Sequence, residues 1–283
     1  MKHLLSIAMI LCAMALWLGC NNKSMKDGAS EDALADSLDP CENCDSIKFE
    51  TNLIKYDKSA NNASVELKVD FPISDNQDLV NEIGNFINDN LDIEYAYGLE
   101  RTKPSPYQGD VTDGDKLVSF WGDYLLKDLQ EGYDGGFERD SIDVVYNGDK
   151  YVTYRALMFV EYRDQEHGRG CTRGATFRKC DGKRISLIAD TANVKYKELL
   201  RQTAKQYFID DNYQIDDSLA EMYVNNWTEE ILPWNLPYMD DKNVYYGTPY
   251  DMGLHVLAVP LDKMMPFLSK DAKKLLKTTK KNK

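Results

Sequence analysis

The sequence predicts an α+β protein with a mostly antiparallel sheet, packed helices and two intimately associated subdomains. Three observations predict it. Apolar alternation of period two recurs in neighbouring pairs of segments joined by short turns, which is how hairpins read. Segments of helical period are grouped between those pairs, whereas a doubly wound sheet would alternate single strands with single helices. An apolar content of 43 %, with 18 tyrosines among 283 residues, is enough to build a core.

The first pair of strands spans Ile47–Tyr56 and Ala63–Phe71, with Val65, Leu67, Val69 and Phe71 on one face and a turn at Lys58–Asn62. Pro72, which has no N–H to donate, is expected to end the second strand. Ser74 then caps a helix running to about Asn90, because Leu79, Val80, Ile83, Phe86, Ile87 and Leu91 recur at three and four. Glu94–Asp115 reads as a loop on its Pro104, Pro106, Gly109 and Gly114. A second helix, Lys116–Leu129, directs Val118, Trp121, Leu125 and Leu129 inward, and Gly132, Gly135 and Gly136 end it. Strands follow at Ser141–Tyr146 and Tyr151–Tyr162 around an Asn147-Gly148 turn, then at Arg173–Lys179 and Arg184–Leu187 around Asp181-Gly182. Helices are expected at Val194–Phe208 and Ser218–Asn226. Glu229–Tyr238 is irregular. Val244–Tyr246 and His255–Val259 are late strands. After Pro260 comes a terminal helix carrying Leu261, Met264, Met265 and Leu268.

The ends of the chain carry address information. Met1-Lys2-His3 precedes an almost wholly apolar run, Leu4–Leu18, which is short of the ~18 or more residues that span a bilayer. Leu18-Gly19-Cys20 then resembles a lipobox, with Trp17 standing where an aliphatic residue is usual. The expectation is a signal peptide over residues 1–19, removed before an acylated Cys20, and a lipidated flexible tether over 20–45. Beyond it come a small subdomain over 46–135, a larger one over 136–270 and a basic tail over 271–283 that frays in solvent. The folded part is then held at a bacterial membrane, by expectation the outer membrane, on its periplasmic or extracellular side.

Charge narrows the partners. Lys and Arg total 34 against 47 Asp and Glu, a formal charge of -13. Such a surface disfavours nucleic acid and anionic lipid on average and suits a basic protein or peptide. The last stretch reverses sign, with seven lysines in Lys270–Lys283 and a weak stripe of Ala272, Leu275 and Leu276.

Once the signal is removed and Cys20 acylated, Cys41, Cys44, Cys171 and Cys180 remain. An even number outside the cytoplasm suggests two disulfides, for which three connectivities exist. Locally, Cys171 and Cys180 close a hairpin and Cys41 pairs with Cys44. The crossed alternatives staple the tether to the hairpin. A thioredoxin-like role for Cys41 and Cys44 is disfavoured by the acids around them, which raise a thiol pKa.

A family resemblance runs along most of the chain. Glu161-Tyr162, His167-Gly168, Thr176-Phe177, Gly182-Lys183, Leu187 and Asp190 stand in the order of a strand, a turn, a second strand and a Gly-Lys hairpin. Pro249-Tyr250, Gly253, Val256-Leu257-Ala258-Val259-Pro260-Leu261, Met264 and Leu268 give a closing strand and helix. These segments resemble the outer domain of RsiV-like bacterial envelope proteins, with residues 47–91 resembling the small domain that precedes it. Gln165-Glu166 depart from the pattern, replacing two glycines before His167. The resemblance implies a non-catalytic binding module whose ligand class includes lysozyme, a strongly basic protein.

The expected function is therefore an envelope lipoprotein that binds a basic extracytoplasmic partner, through His167, Gly168, Tyr245, Tyr246 and Tyr250. The alternatives are a glycan-active enzyme of hydrolase or deacetylase type and a structural envelope component. Enzyme chemistry is disfavoured because His167 and His255 lie outside any HxxE, HExxH or GxSxG spacing. No metal or cofactor is expected.

Overall fold

A computed structural model describes residues 47–92, 104–132, 134–163, 168–210, 224, 237–247 and 256–277. These fall within one compact unit, Pro40–Lys283. The element order is β1 (Phe49–Ala60), β2 (Ala63–Ser74), α1 (Gln77–Leu91), α2 (Gly114–Gly132), β3 (Gly136–Asn147), β4 (Tyr151–Tyr162), β5 (Arg169–Arg178) and α3 (Val194–Asp210). It continues with β6 (Tyr238–Met239), β7 (Asn243–Gly247), β8 (Val256–Pro260), α4 (Leu261–Met264) and α5 (Lys270–Lys277). The fold is α+β with mostly antiparallel strands: a five-stranded sheet ordered β1-β2-β3-β4-β5 and a three-stranded sheet ordered β6-β7-β8.

The first hairpin is longer and tighter than expected. Its turn is only Asn61-Asn62, with Asn61 at φ 54, a left-handed conformation that asparagine tolerates better than most residues. Pro72 does not end β2, which runs on to Ser74. The β2–β3 ladder stops at Val69 and Ile142, so Pro72 lies where β2 is paired on one edge only and the missing N–H is tolerated. Ser74 is not the helix cap. Asn76 is: its side chain accepts from the N–H groups of Asp78 and Leu79, and its amide donates to the Lys179 carbonyl at 2.7 Å.

One pairing escapes the sequence altogether. β2 and β3 run parallel, from Ala63 opposite Gly136 to Val69 opposite Ile142. Parallel neighbours need a crossover, and α1 with α2 supplies it, covering one face of the sheet. The ladder carries the sheet across residues 135 and 136. The first core lies under these helices and takes Leu67, Val69, Leu79, Ile83, Ile87, Leu117 and Trp121 from the first half, and Ile142, Tyr154 and Phe177 from the second. Inside it the Trp121 indole N–H donates to Asn88 at 2.9 Å, so a buried polar pair ties α1 to α2.

The three-stranded sheet packs on the opposite face of β4 and β5. Thr153 donates to the Met239 carbonyl at 2.7 Å, and the Met239 N–H donates to the Thr176 hydroxyl at 3.1 Å, so two threonines satisfy the backbone of short β6. Gly247 crosses β5 so closely that a Cβ there would lie 1.8 Å from the Thr172 carbonyl oxygen; only glycine fits. The second core joins this sheet to α3, α4 and α5 through Tyr196, Leu200, Tyr246, Val259, Met264, Leu268 and Leu275. Among the described residues, both cores are built from positions between 49 and 276.

The C-terminal end corrects two expectations. The terminal helix is broken: Leu268 leaves it to bridge Ile188, and Ser269 caps a new helix, its hydroxyl accepting from the Ala272 N–H. In that helix, α5, Ala272 and Leu275 are buried, so the stripe at the head of the basic tail is docked on the second core and does not fray. Arg184–Leu187 forms only a single bridge, Arg184 with Phe177, and no fourth strand. The helix expected at Ser218–Asn226 lies outside the described residues apart from Val224. No helix among the described residues is long and apolar enough to cross a membrane.

Candidate functional site: a tyrosine and aspartate corner

Two turns from distant parts of the chain meet at one end of the structure. The β3–β4 turn carries Asp149 between Tyr146 and Tyr151, whose rings stack with centroids 4.7 Å apart. A bulge between Val144 and Tyr146 shifts the register just before Tyr146. The β6–β7 turn carries Asp240 and Asp241. The Asp240 carboxylate accepts from the N–H groups of Lys242 and Asn243, each at 2.7 Å, which fixes the turn. Its other oxygen accepts from the Tyr245 hydroxyl at 2.6 Å, and the Tyr245 ring stacks on Tyr238 at 5.3 Å.

Electrostatics join the two turns. The Tyr146 phenol is raised above its ordinary range chiefly by burial, opposed by its hydrogen bond with Tyr151, with the charges of Asp241, Asp149 and Asp240 adding to the rise. Tyr151 is raised by burial and also feels Asp241 and Asp240. Tyr245 is raised by burial, by its hydrogen bond to Asp240 and by the charges of Asp240 and Asp241. These phenols stay neutral in the physiological range. Asp149 and Asp241 are exposed, while Tyr146, Tyr245 and Asp240 are half-buried. The result is aromatic surface with the Asp240 carboxylate bonded to Tyr245 and the charges of Asp149 and Asp241 within electrostatic reach. This chemistry suits lysine and arginine side chains, through ion pairing with the carboxylates and cation–π contact at the rings.

The structure separates the residues expected to share a contact face. Tyr245 belongs to the corner. Tyr246, its neighbour on β7, points the other way, is 2 % exposed and shares a 2.9 Å hydrogen bond with the Tyr196 hydroxyl, so it is a core residue and leaves the contact set. Gly168 precedes β5, whose far end pairs with Tyr151, and a Cβ on Gly168 would strike the Phe159 ring. It therefore sits at the opposite end of the strand from the Tyr146–Tyr151 pair. His167, Tyr250 and His255 lie outside the described residues, as do Cys20, Cys41 and Cys44. Sequence reasoning missed Tyr146, Asp149, Asp240 and Asp241, since an Asp-Asp pair in a turn reads as ordinary solvated loop and only tertiary pairing brings the two turns together.

The expected hairpin disulfide is not formed. Cys171 and Cys180 do not flank a turn: Thr172–Arg178 between them is continuous strand, roughly 23 Å of extended chain. Cys171 is buried in β5, its thiol pushed up to about 12 chiefly by burial, with Asp140 adding to the rise and Arg173 opposing it.

A second group of acids lies inside the molecule. Glu138 and Asp140, two apart on β3, face the helix-covered side of the sheet and are 1 % and 2 % exposed. Glu138 is raised well above the carboxylate range, first by burial, then by the Asp140 charge and their mutual hydrogen bond, with Asp128 adding to it. Burial raises Asp140 to about 7, opposed by the Glu138 hydrogen bond and by the Phe159 N–H, which donates to it at 3.3 Å. Such a pair shares a proton. Paired carboxyls are the equipment of glycan hydrolysis, but that chemistry places them on either side of a sugar, ~5 Å or more apart and open to it. This pair is enclosed between a sheet and a helix. Among the described residues no group of three or more His, Cys, Asp or Glu is placed to hold a metal ion.

No family model matches the sequence, and no curated protein matches it. Solved structures do. A DUF3298 family member from Bacteroides fragilis superposes with a TM-score of 0.53 at 13 % identity, covering 83 % of this chain and 98 % of that one. The chain has the DUF3298 fold. A second DUF3298 family protein, from Pseudomonas aeruginosa, agrees at a TM-score of 0.51 and 11 % identity, with 81 % and 98 % coverage. At these identities the DUF3298 likeness is one of architecture, that of a bacterial domain of unknown function.

Proposed function

We propose that this chain is a non-catalytic binding module of the bacterial cell envelope, lipid-anchored through Cys20, that takes a basic extracytoplasmic protein on its tyrosine and aspartate corner. The observation that carries the reading is the convergence of Asp149, Asp240 and Asp241 from two separate turns around the half-buried Tyr146 and Tyr245. The formal charge of -13 adds long-range attraction for such a partner. The lipobox-like Leu18-Gly19-Cys20 and the RsiV-like pattern supply the address and the ligand class, with lysozyme the first candidate.

The test is calorimetry of residues 21–283, which contain both cores, against lysozyme at low and physiological salt. Saturable binding that persists at physiological salt and weakens about tenfold in Asp149→Asn/Asp241→Asn is expected, since two exposed charges at roughly 0.7 kcal/mol each come to about 1.4 kcal/mol. Tyr245→Ala weakens binding as well, and Tyr246→Phe, on the buried face of the same strand, leaves it unchanged. Binding that disappears with salt, or that ignores the two aspartates, removes the corner from the reading.

A further inference from the structure

We propose that β1 is a pairing edge for a second copy of this chain, joined antiparallel about a two-fold axis at Ile54 so that the two five-stranded sheets become one. The large sheet treats its two edges differently. Beside β5, the Arg178 N–H donates to the Lys183 carbonyl, the Ile185 N–H donates to the Thr176 carbonyl and the Arg184 guanidinium donates to the Gly174 carbonyl, so residues 183–185 cover that edge. Beyond β1, among the described residues, there is no further strand or bridge, and every residue of β1 but Phe49, Ile54 and Tyr56 is exposed. Alternate residues along it therefore aim N–H and C=O groups outward, which is the template for adding a strand. The template is held in place: β1 pairs with β2 from Phe49 opposite Ser74 to Ala60 opposite Ala63, Tyr56 lies against Gly122 of α2, and Lys58 reaches Asp123 at 2.7 Å.

The charges select the occupant. Charged edge residues ordinarily keep strands apart, and lysine is the usual guard. Here an acid and a base stand at equal distances from one residue, Glu50 before Ile54 and Lys58 after it. Pairing two copies about Ile54 sets Glu50 of each opposite the partner's Lys58, with Ile54 opposite itself, Leu53 opposite Lys55 and Thr51 opposite Asp57, so no like charges meet. The axis pairs residues of the same face, so α2 of each copy lies on one side of the joined sheet. The adjacent registers fail: an axis at Leu53 sets Lys48 against Lys58, and one at Lys55 sets that lysine against its own copy. An extended peptide of unrelated sequence gains the backbone bonds but not this two-fold match of charge.

The test is sedimentation of residues 21–283, which contain both cores, over a range of concentrations, with Glu50→Lys, Lys58→Glu and an equimolar mixture of the two. The unaltered protein is expected to pass from monomer to dimer as concentration rises. Glu50→Lys alone sets lysine against lysine at both ends of the seam, Lys58→Glu sets glutamate against glutamate, and each weakens the dimer about tenfold or more. In the mixture the new lysine faces the new glutamate and Lys58 faces Glu50, so dimers return, which no folding defect would allow. A protein that stays monomeric at every concentration, a dimer indifferent to both variants, or a mixture no more dimeric than its components overturns the proposal. Capture of extended peptides by a monomeric protein also overturns it, giving the edge to another kind of partner. Lysozyme binding is a separate outcome, since β1 contributes no residue to the tyrosine and aspartate corner.

Discussion

Glu138 and Asp140 are the residues at which local chemistry bears most directly on stability. Each would be ionised at neutral pH in an unfolded chain, whose carboxyls titrate near 4. In the folded chain burial raises both, Asp140 to about 7 and Glu138 well above its ordinary range. A raised folded pKa means that stability from the protonated pair is complete below about 4 and is lost as pH climbs through about 7 and beyond. The protein is therefore expected to be more stable at pH 5 than at pH 9, by roughly 2–4 kcal/mol from this pair. Chemical denaturation across that range measures it. Glu138→Gln/Asp140→Asn flattens the profile if the pair is its source, while an unchanged slope in the variant assigns the effect elsewhere. Tyr246 makes a smaller prediction. Replacing it by phenylalanine leaves the buried Tyr196 hydroxyl without its 2.9 Å partner and costs about 1–3 kcal/mol in the same assay.

At the scale of elements, the threonine clamp and α5 make the clearest predictions. Thr153→Val removes the donor to the Met239 carbonyl and the neighbour of the Thr176 hydroxyl, a loss of about 1–3 kcal/mol by urea denaturation. Leu275→Ala strips the docking side chain of α5 and costs about 2–4 kcal/mol, more than a fraying tail could lose. The elements also show what periodicity can and cannot carry. The first hairpin, α1, α2, the β3–β4 hairpin, α3, β7 and β8 are legible because each rests on its own residues, alternating or recurring at three and four. β6 is invisible because two residues make no pattern, and its backbone is satisfied by threonines more than 60 positions away. The break after Met264 is hidden because Leu268 keeps the helical spacing while bonding to Ile188 instead. The parallel β2–β3 pairing is invisible for a related reason: each strand alternates in the same way whichever direction its neighbour runs. The corner fails to show for the same cause, since Asp149 and Asp240 are 91 positions apart in sequence.

Across the whole molecule, the two cores are coupled through β4 and β5. These strands give Tyr154 and Phe177 to the first core on one face, and Tyr151, Thr153 and Thr176 to the second sheet on the other. The β2–β3 ladder extends that shared wall to the first hairpin, so neither core can open without exposing the back of the other. Residues 21–283 are therefore expected to unfold as one cooperative transition, with calorimetric and van't Hoff enthalpies equal. The seam offers a way to break that coupling. Gly174 lies under Tyr238, and an added Cβ would sit 2.1 Å from its ring, so Gly174→Val must push β6 off the large sheet while leaving the first core untouched. In the variant the second core loses its wall and melts first, giving two transitions. Fluorescence of Trp121, buried in the first core, follows the later one. A single transition merely shifted to lower temperature in Gly174→Val would show instead that the second sheet is held by its helices and not by β5.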